Sequence, residues 1–172
     1  MTKIQDIANY FIYKCNKDSI SITNMKLQKL CYYAQGVSIA LRDKRLFNNK
    51  IEAWEHGPVI RDLYVEFNKF GSCNIDMNVK MPDLYETQKE VLDKTYEAFA
   101  KFSAWKLRDM SHEETPWSKN YQLGKKNVIP NDDLKVFFKN IVESDDLTES
   151  ALLLSKRVIK ENEKALEILA DK

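Results

Sequence analysis

Few side chains in this sequence are suited to chemistry. There are two histidines, His56 and His112, and three cysteines, Cys15, Cys31 and Cys73. A Cys–His or Ser–His pair would serve nucleophilic catalysis, yet no Cys or Ser stands in a local setting that such nucleophiles use. The cysteines lack close spacing and form no C-x-x-C, so neither a zinc ribbon nor a redox pair is expected. "HEE", His112 to Glu114, matches part of a zincin word but lacks the second imidazole on the same helix face. Glycine is scarce, at four residues, and builds no phosphate-cradling loop. No metal and no cofactor are expected. His112 and Glu114 remain the one pair a hydrolase could use. His56, just before Gly57-Pro58, reads more simply as a turn residue than as a base.

Binding offers more candidates. Basic groups occur at Arg42, Lys44 and Arg45, at Lys125-Lys126, and at Lys156-Arg157 with Lys160. Each group is small and has acids nearby. The chain as a whole balances 27 basic against 26 acidic residues, for a net charge of +1. Solvated faces explain such runs, so nucleic acid is not the expected partner. A DNA-associated transcriptional regulator is the alternative they leave open. Aromatics such as Tyr32-Tyr33, Trp54, Tyr64, Trp105 and Trp117 stand mostly at core spacing. Those with a polar handle can also anchor an interface.

The elements that position these residues read as mainly helical. Four glycines and four prolines in 172 residues permit long helices, and 44% hydrophobic residues permit a core. Ile4, Ile7, Ala8, Phe11, Ile12 and Cys15 give one apolar face of a helix over 3–16. Thr23 or Asn24 caps a second helix, to about Asp43, whose wide stripe predicts packing on more than one side. Ile51 to Trp54 reads as a short strand. His56-Gly57 turns the chain, and Pro58 is expected to open the next helix, which Gly71 ends. "NIDMNVKM" alternates and predicts a second strand pairing with the one near Ile51. Thr87 to Glu90 has the pattern of a capping box, and Ser103 caps a short helix. A further helix is expected over 131–143 and a last one from Thr148 to Ala170. No stretch has the length of a membrane span, and the odd, unpaired cysteines fit a reduced, cytoplasmic setting. The expected architecture is a compact multi-helix domain, residues 1–145, with a possible short β-hairpin, followed by a C-terminal helical extension, residues 146–172.

Three ordered words go further: "MKLQKLCYYAQG" (Met25 to Gly36), "LFNNKIEAWEHGPVIRDLY" (Leu46 to Tyr64) and "SAWKLRDMSHEETPW" (Ser103 to Trp117). Together they resemble the Panacea, or SocA-like, antitoxin domain, over roughly residues 4 to 140. The resemblance implies a mainly helical protein of bacteria, phages or mobile elements. It also implies a partner, a toxin encoded in the adjacent gene, that is neutralised by direct binding without enzymatic chemistry. Lys26, Leu27, Lys29, Leu30 and Tyr32 match the first word. Trp54, Gly57, Pro58, Val59 and Tyr64 match the second, and Leu107, His112, Glu114, Pro116 and Trp117 the third. Leu27, Leu30, Leu63 and Leu107 read as core, and Lys26, Tyr32, Gly57, Pro58 and Val59 join the scaffold. Trp54, His56, Tyr64, His112, Glu114 and Trp117 are the candidates for an ordered, partner-binding patch. The helix after Thr148, outside the minimal domain, could pair with a second copy.

Overall fold

The computed structural model describes residues 1–143 and 146–170, so the expected domain boundary at 145 falls outside the described residues. The described residues form eight α-helices and a small three-stranded antiparallel sheet. The helix α2, Asn24–Arg42, runs through the middle and packs against α4 (Glu86–Phe99), α5 (Ala104–His112) and α7 (Asn131–Val142). Its start is fixed as the sequence predicts, with the Lys26 amide donating to Thr23 Oγ1 at 3.2 Å. At its other end Asp43 adopts a left-handed conformation and closes onto the Ile39 carbonyl.

Every residue of α2 from Lys26 to Ile39 is buried. A helix buried all round is normally apolar, because an unpaired polar group in the interior costs more than it returns. Here the polar side chains tie neighbouring loops to the helix. Gln35 Oε1 accepts from the Leu46 and Phe47 amides, at 2.8 and 3.2 Å, and its Nε2 donates to the Phe47 carbonyl. Gln28 Oε1 accepts from the Ile60 amide at 2.8 Å. Ser38 Oγ donates to the Lys44 carbonyl. Gly36 lets α7 approach: a Cβ there would lie 2.2 Å from the Phe138 ring.

The remaining elements complete the shell. Ile4, Ile7, Phe11 and Cys15 of α1, Ile4–Lys17, join the core on the predicted face. β1 (Glu52–Trp54) pairs with β2 (Gly57–Val59) on one side and β3 (Asn127–Val128) on the other. This overturns the expected role of Pro58, which lies in β2 opposite Ala53 rather than at a helix start. β2 is an edge strand, where a missing N–H costs the ladder little. The helix α3, Arg61–Phe67, begins three residues later.

Two further expectations change. "NIDMNVKM" forms no strand; the Ile75 amide donates to the Ile22 carbonyl at 2.8 Å, and the Met77 carbonyl accepts from Asn16 Nδ2 at 2.9 Å. Its alternation is real, because Ile75 is buried and Met77, Val79 and Met81 lie against the core, but the segment is an extended strap without a ladder. The strand that joins β1 comes from the loop after Tyr121 instead. The helix α4 starts before the predicted box: Tyr85 is its cap residue, and the Tyr85 amide donates to Gln88 Oε1. The last helix, α8 (Leu147–Ala170), packs its first half on α4 and α5 through Ala151, Ser155 and Val158. From Ile159 to Leu169 each residue is exposed.

Candidate binding groove and the buried network beneath it

The residues of the three words separate into an inner network and an outer groove. The inner network begins with Lys29, on the buried face of α2 and only 1% exposed. Its Nζ donates to the Pro58 carbonyl at 3.0 Å, which ties α2 to β2. Burial drives its pKa down to about 7, Arg108 adds to that shift, and Glu114 opposes it. Gly57 must be glycine to leave room for this lysine. Its φ is +97°, a region that side chains avoid, and a Cβ would sit 2.7 Å from Ser111 Oγ and 2.9 Å from Lys29 Nζ.

Glu114 is the other charged member. Between α5 and α6 (Thr115–Ser118) the chain breaks at Glu114, the extended cap residue of α6, and Pro116 follows in the first turn, where its missing N–H is not needed. That break turns Glu114 inward, where it is 0% exposed. Its two oxygens accept the hydroxyls of Tyr32 and Tyr33, each at 2.7 Å. Burial pushes the Glu114 carboxyl up to about 7, while the two hydroxyls and Lys29 oppose that shift. Burial, together with the Glu114 charge, keeps both phenols well above their ordinary range, so they remain donors. The "YY" of the first word and the "E" of the third are thus one hydrogen-bonded unit.

The aromatic residues connect this network to the surface. The His112 ring stacks on Trp117 with centroids 3.8 Å apart, and Trp117 stacks in turn on Tyr121. Trp117 Nε1 donates to the Trp54 carbonyl at 2.8 Å, fixing β1 against α6. His112 Nε2 is buried and meets no hydrogen-bond partner among the described residues. Burial, with Arg108 and Lys29 nearby, holds its pKa down at about 4, so the imidazole is neutral near pH 7. With both Glu114 oxygens taken by tyrosines, this His–Glu pair forms no acid–base dyad in the structure. Cys31 is buried, and burial raises its thiol far above the reactive range; the Cys15 thiol is pushed up to about 11.

Outside the network lies a groove of about 790 Å³. The hairpin tip supplies Trp54, Glu55 and His56, α3 supplies Tyr64, α5 supplies Trp105, and the loop before β3 supplies Tyr121 and Lys126. The Trp54 and Tyr64 rings meet at 4.8 Å, and Lys126 Nζ lies 3.9 Å from the Trp54 ring centroid. Trp54 Nε1 donates to Glu52, which also pairs with Arg61. His56 meets Trp105 edge-on at 6.1 Å.

The structure therefore divides the six expected patch residues. Trp54, His56 and Tyr64 line the groove. Trp117 and His112 stand behind it, and Glu114 is enclosed in the interior. Sequence reasoning missed the contribution of Trp105, Leu123 and the Lys125-Lys126 pair to the groove. Two of these signals were visible, a Trp beside the Ser103 cap and a basic pair in a loop, but only β3 pairing brings that loop to the hairpin. Among the described residues no cluster of three or more metal-ligating side chains occurs, and no helix is long and apolar enough to cross a membrane.

The architecture is a mainly helical scaffold that frames an aromatic groove, with Lys29 and Glu114 bound in the interior behind it. The chain belongs to the family of SocA-like antitoxins with the Panacea domain, which it matches over residues 27–118, more than half its length. It is also 37% identical over 65 residues to Antitoxin SocA of Caulobacter vibrioides (strain NA1000 / CB15N). That similarity covers 38% of this chain and 35% of the relative, so the chain spans about a third of the curated relative it matches. No solved structure matches the chain significantly.

Proposed function

We propose that the protein is an antitoxin that neutralises a toxin by direct protein–protein binding, with the groove face as its docking surface. One observation carries this reading: an open aromatic groove is built from the family's second word and braced from behind by the third. A stoichiometric binder of this kind performs no catalysis and acts where its toxin acts, in the cytoplasm. The partner is the product of the adjacent gene. A stable complex buries at least about 1,200 Å² in total, so the surfaces flanking the groove must contribute as well. Residues 1–145 form the binding domain in this reading, and residues 146–172 an extension of it.

Co-expression with the neighbouring toxin gene tests the proposal. Growth should be restored and the two proteins should co-purify. Persistent arrest with no complex would sink it.

A second role belongs to the extension. Beyond Val158, Leu166 and Leu169 are exposed, and at helical spacing they continue the stripe that Ala151 and Val158 bury against the domain. Self-association through this stripe predicts a concentration-dependent dimer in sedimentation, and a monomer once the chain is cut after Val158.

A further inference from the structure

We infer that the groove seats an extended segment of a partner protein in which an acidic residue stands beside a large apolar or aromatic one. The inference rests on the binding role proposed above and names the occupant of that site.

The apolar half follows from what the groove leaves in water. Trp105 is 59% exposed and Leu123 85% exposed, on the walls of a cavity also lined by Trp54, Tyr64 and Tyr121. Large apolar side chains left uncovered around a cavity mark a contact surface, and aromatic anchors supply most of the binding energy at such surfaces. A volume of about 790 Å³ holds a short segment or a protruding side chain, not a flat domain face.

The acidic half follows from charge. Lys125 and Lys126 line the groove, while Glu55 is the one acid among the described lining residues. The first residues of α2 and α5 also line it, and neither helix carries an acid in its first turn. The positive ends of two helix dipoles are therefore not offset locally by acidic side chains. The whole chain is near neutral, so this surplus is local to the groove.

Lys126 couples the two halves. Its ammonium rests on the Trp54 face, 3.9 Å from the ring centroid, a contact that cation–π attraction favours. A ligand carboxylate offers that ammonium a stronger partner. Drawing Lys126 aside frees the indole face for the neighbouring apolar side chain. The acid and the apolar residue must therefore be close together in the segment, and neither alone should bind as well.

A random-peptide display library panned on the folded full chain tests this. Enriched peptides should carry Asp or Glu within two residues of Trp, Phe or Leu. Synthetic versions should bind Lys126→Glu and Trp105→Ala about tenfold more weakly, while both variants melt as the wild type does. Lys126→Ala should keep apolar binding but lose the preference for acid. Enrichment of basic peptides, or of apolar peptides without acids, would overturn the inference. So would equal affinity for wild type and variants, or tighter binding of a single-stranded deoxythymidine oligonucleotide. No toxin takes part in this selection, so its failure is separate from a failure of neutralisation in co-expression.

Discussion

The two sides of the β1–β2 hairpin treat polar groups in opposite ways. On the inner side, Lys29 and Glu114 are buried, yet each is bound: Lys29 to the Pro58 carbonyl, Glu114 to two tyrosine hydroxyls. On the outer side, Lys126 covers an aromatic ring, and Trp105 has more than half of its surface in water. The same family words feed both sides. A closed network of charges and donors over-determines backbone geometry, because any member removed leaves the others unsatisfied in low dielectric. An open aromatic surface has unspent contacts and determines nothing until something covers it. Substitutions inside should therefore act on stability, and substitutions outside on binding.

The sharpest way to break this contrast is at Glu114. Glu114→Ala would strand two buried phenol donors and remove the carboxylate that faces Lys29. A loss of about 3–5 kcal/mol is expected, the range for breaking a buried charged network by removing one partner. Urea denaturation measures it, and a loss under about 1 kcal/mol would mean the network is not what holds α2 to α6. Gly57→Ala should cost less, about 1–3 kcal/mol, from a strained φ and from the approach of Ser111 and Lys29. If Gly57→Ala melts like the wild type, the close packing of β2 on Lys29 is wrong.

How far these sites were legible in the sequence depends on the range of the forces involved. Local signals survived: the Thr23 and Ser103 caps and the apolar faces of α1 and α7 are set by neighbours within a turn. Pro58 was misplaced because its φ suits a helix start and an edge strand equally, and only pairing with Ala53 decides between them. Glu114 read as a member of the partner-binding patch because carboxylates seldom enter a core unless paired. Its partners, Tyr32 and Tyr33, are 82 and 81 positions away in sequence. The alternation at Ile75 to Met81 correctly reported one side facing inward. It could not report whether an adjacent edge was available, and that place went to Asn127–Val128.

The pH response sharpens the inner side further. Lys29 has a folded-state pKa of about 7 against an ordinary 10.5. Between those values the unfolded chain holds the extra proton, so this residue's contribution to stability rises with pH from about 7 towards 10.5 and is lost as pH falls back through 7. Glu114 acts in the reverse sense in a lower window, since its carboxyl moves from 4.5 up to about 7 and its contribution declines as pH rises across that interval. The stability difference between wild type and Lys29→Met should therefore grow in favour of wild type from pH 7 to 9, by up to about 1.4 kcal/mol per unit. A difference that is flat or shrinking in that window would show that Lys29 stays charged inside the fold.

The smallest expected stability effect carries the most information about the outer side. Trp105 sits on α5 with 59% of its surface in water. Its ring meets the edge of His56 at 6.1 Å and the Arg108 guanidinium at 5.7 Å. Neither pins a buried group, so Trp105→Ala should change folding stability by no more than about 0.5 kcal/mol, as surface substitutions do. An aromatic anchor at an interface costs more than about 2 kcal/mol of binding when truncated. Trp105→Ala should then leave the melting curve in place and yet fail to rescue growth against the toxin. Rescue at wild-type level would move the docking surface away from the groove, whereas a fall in stability matching the loss of rescue would place Trp105 with the scaffold and erase the division between the two sides.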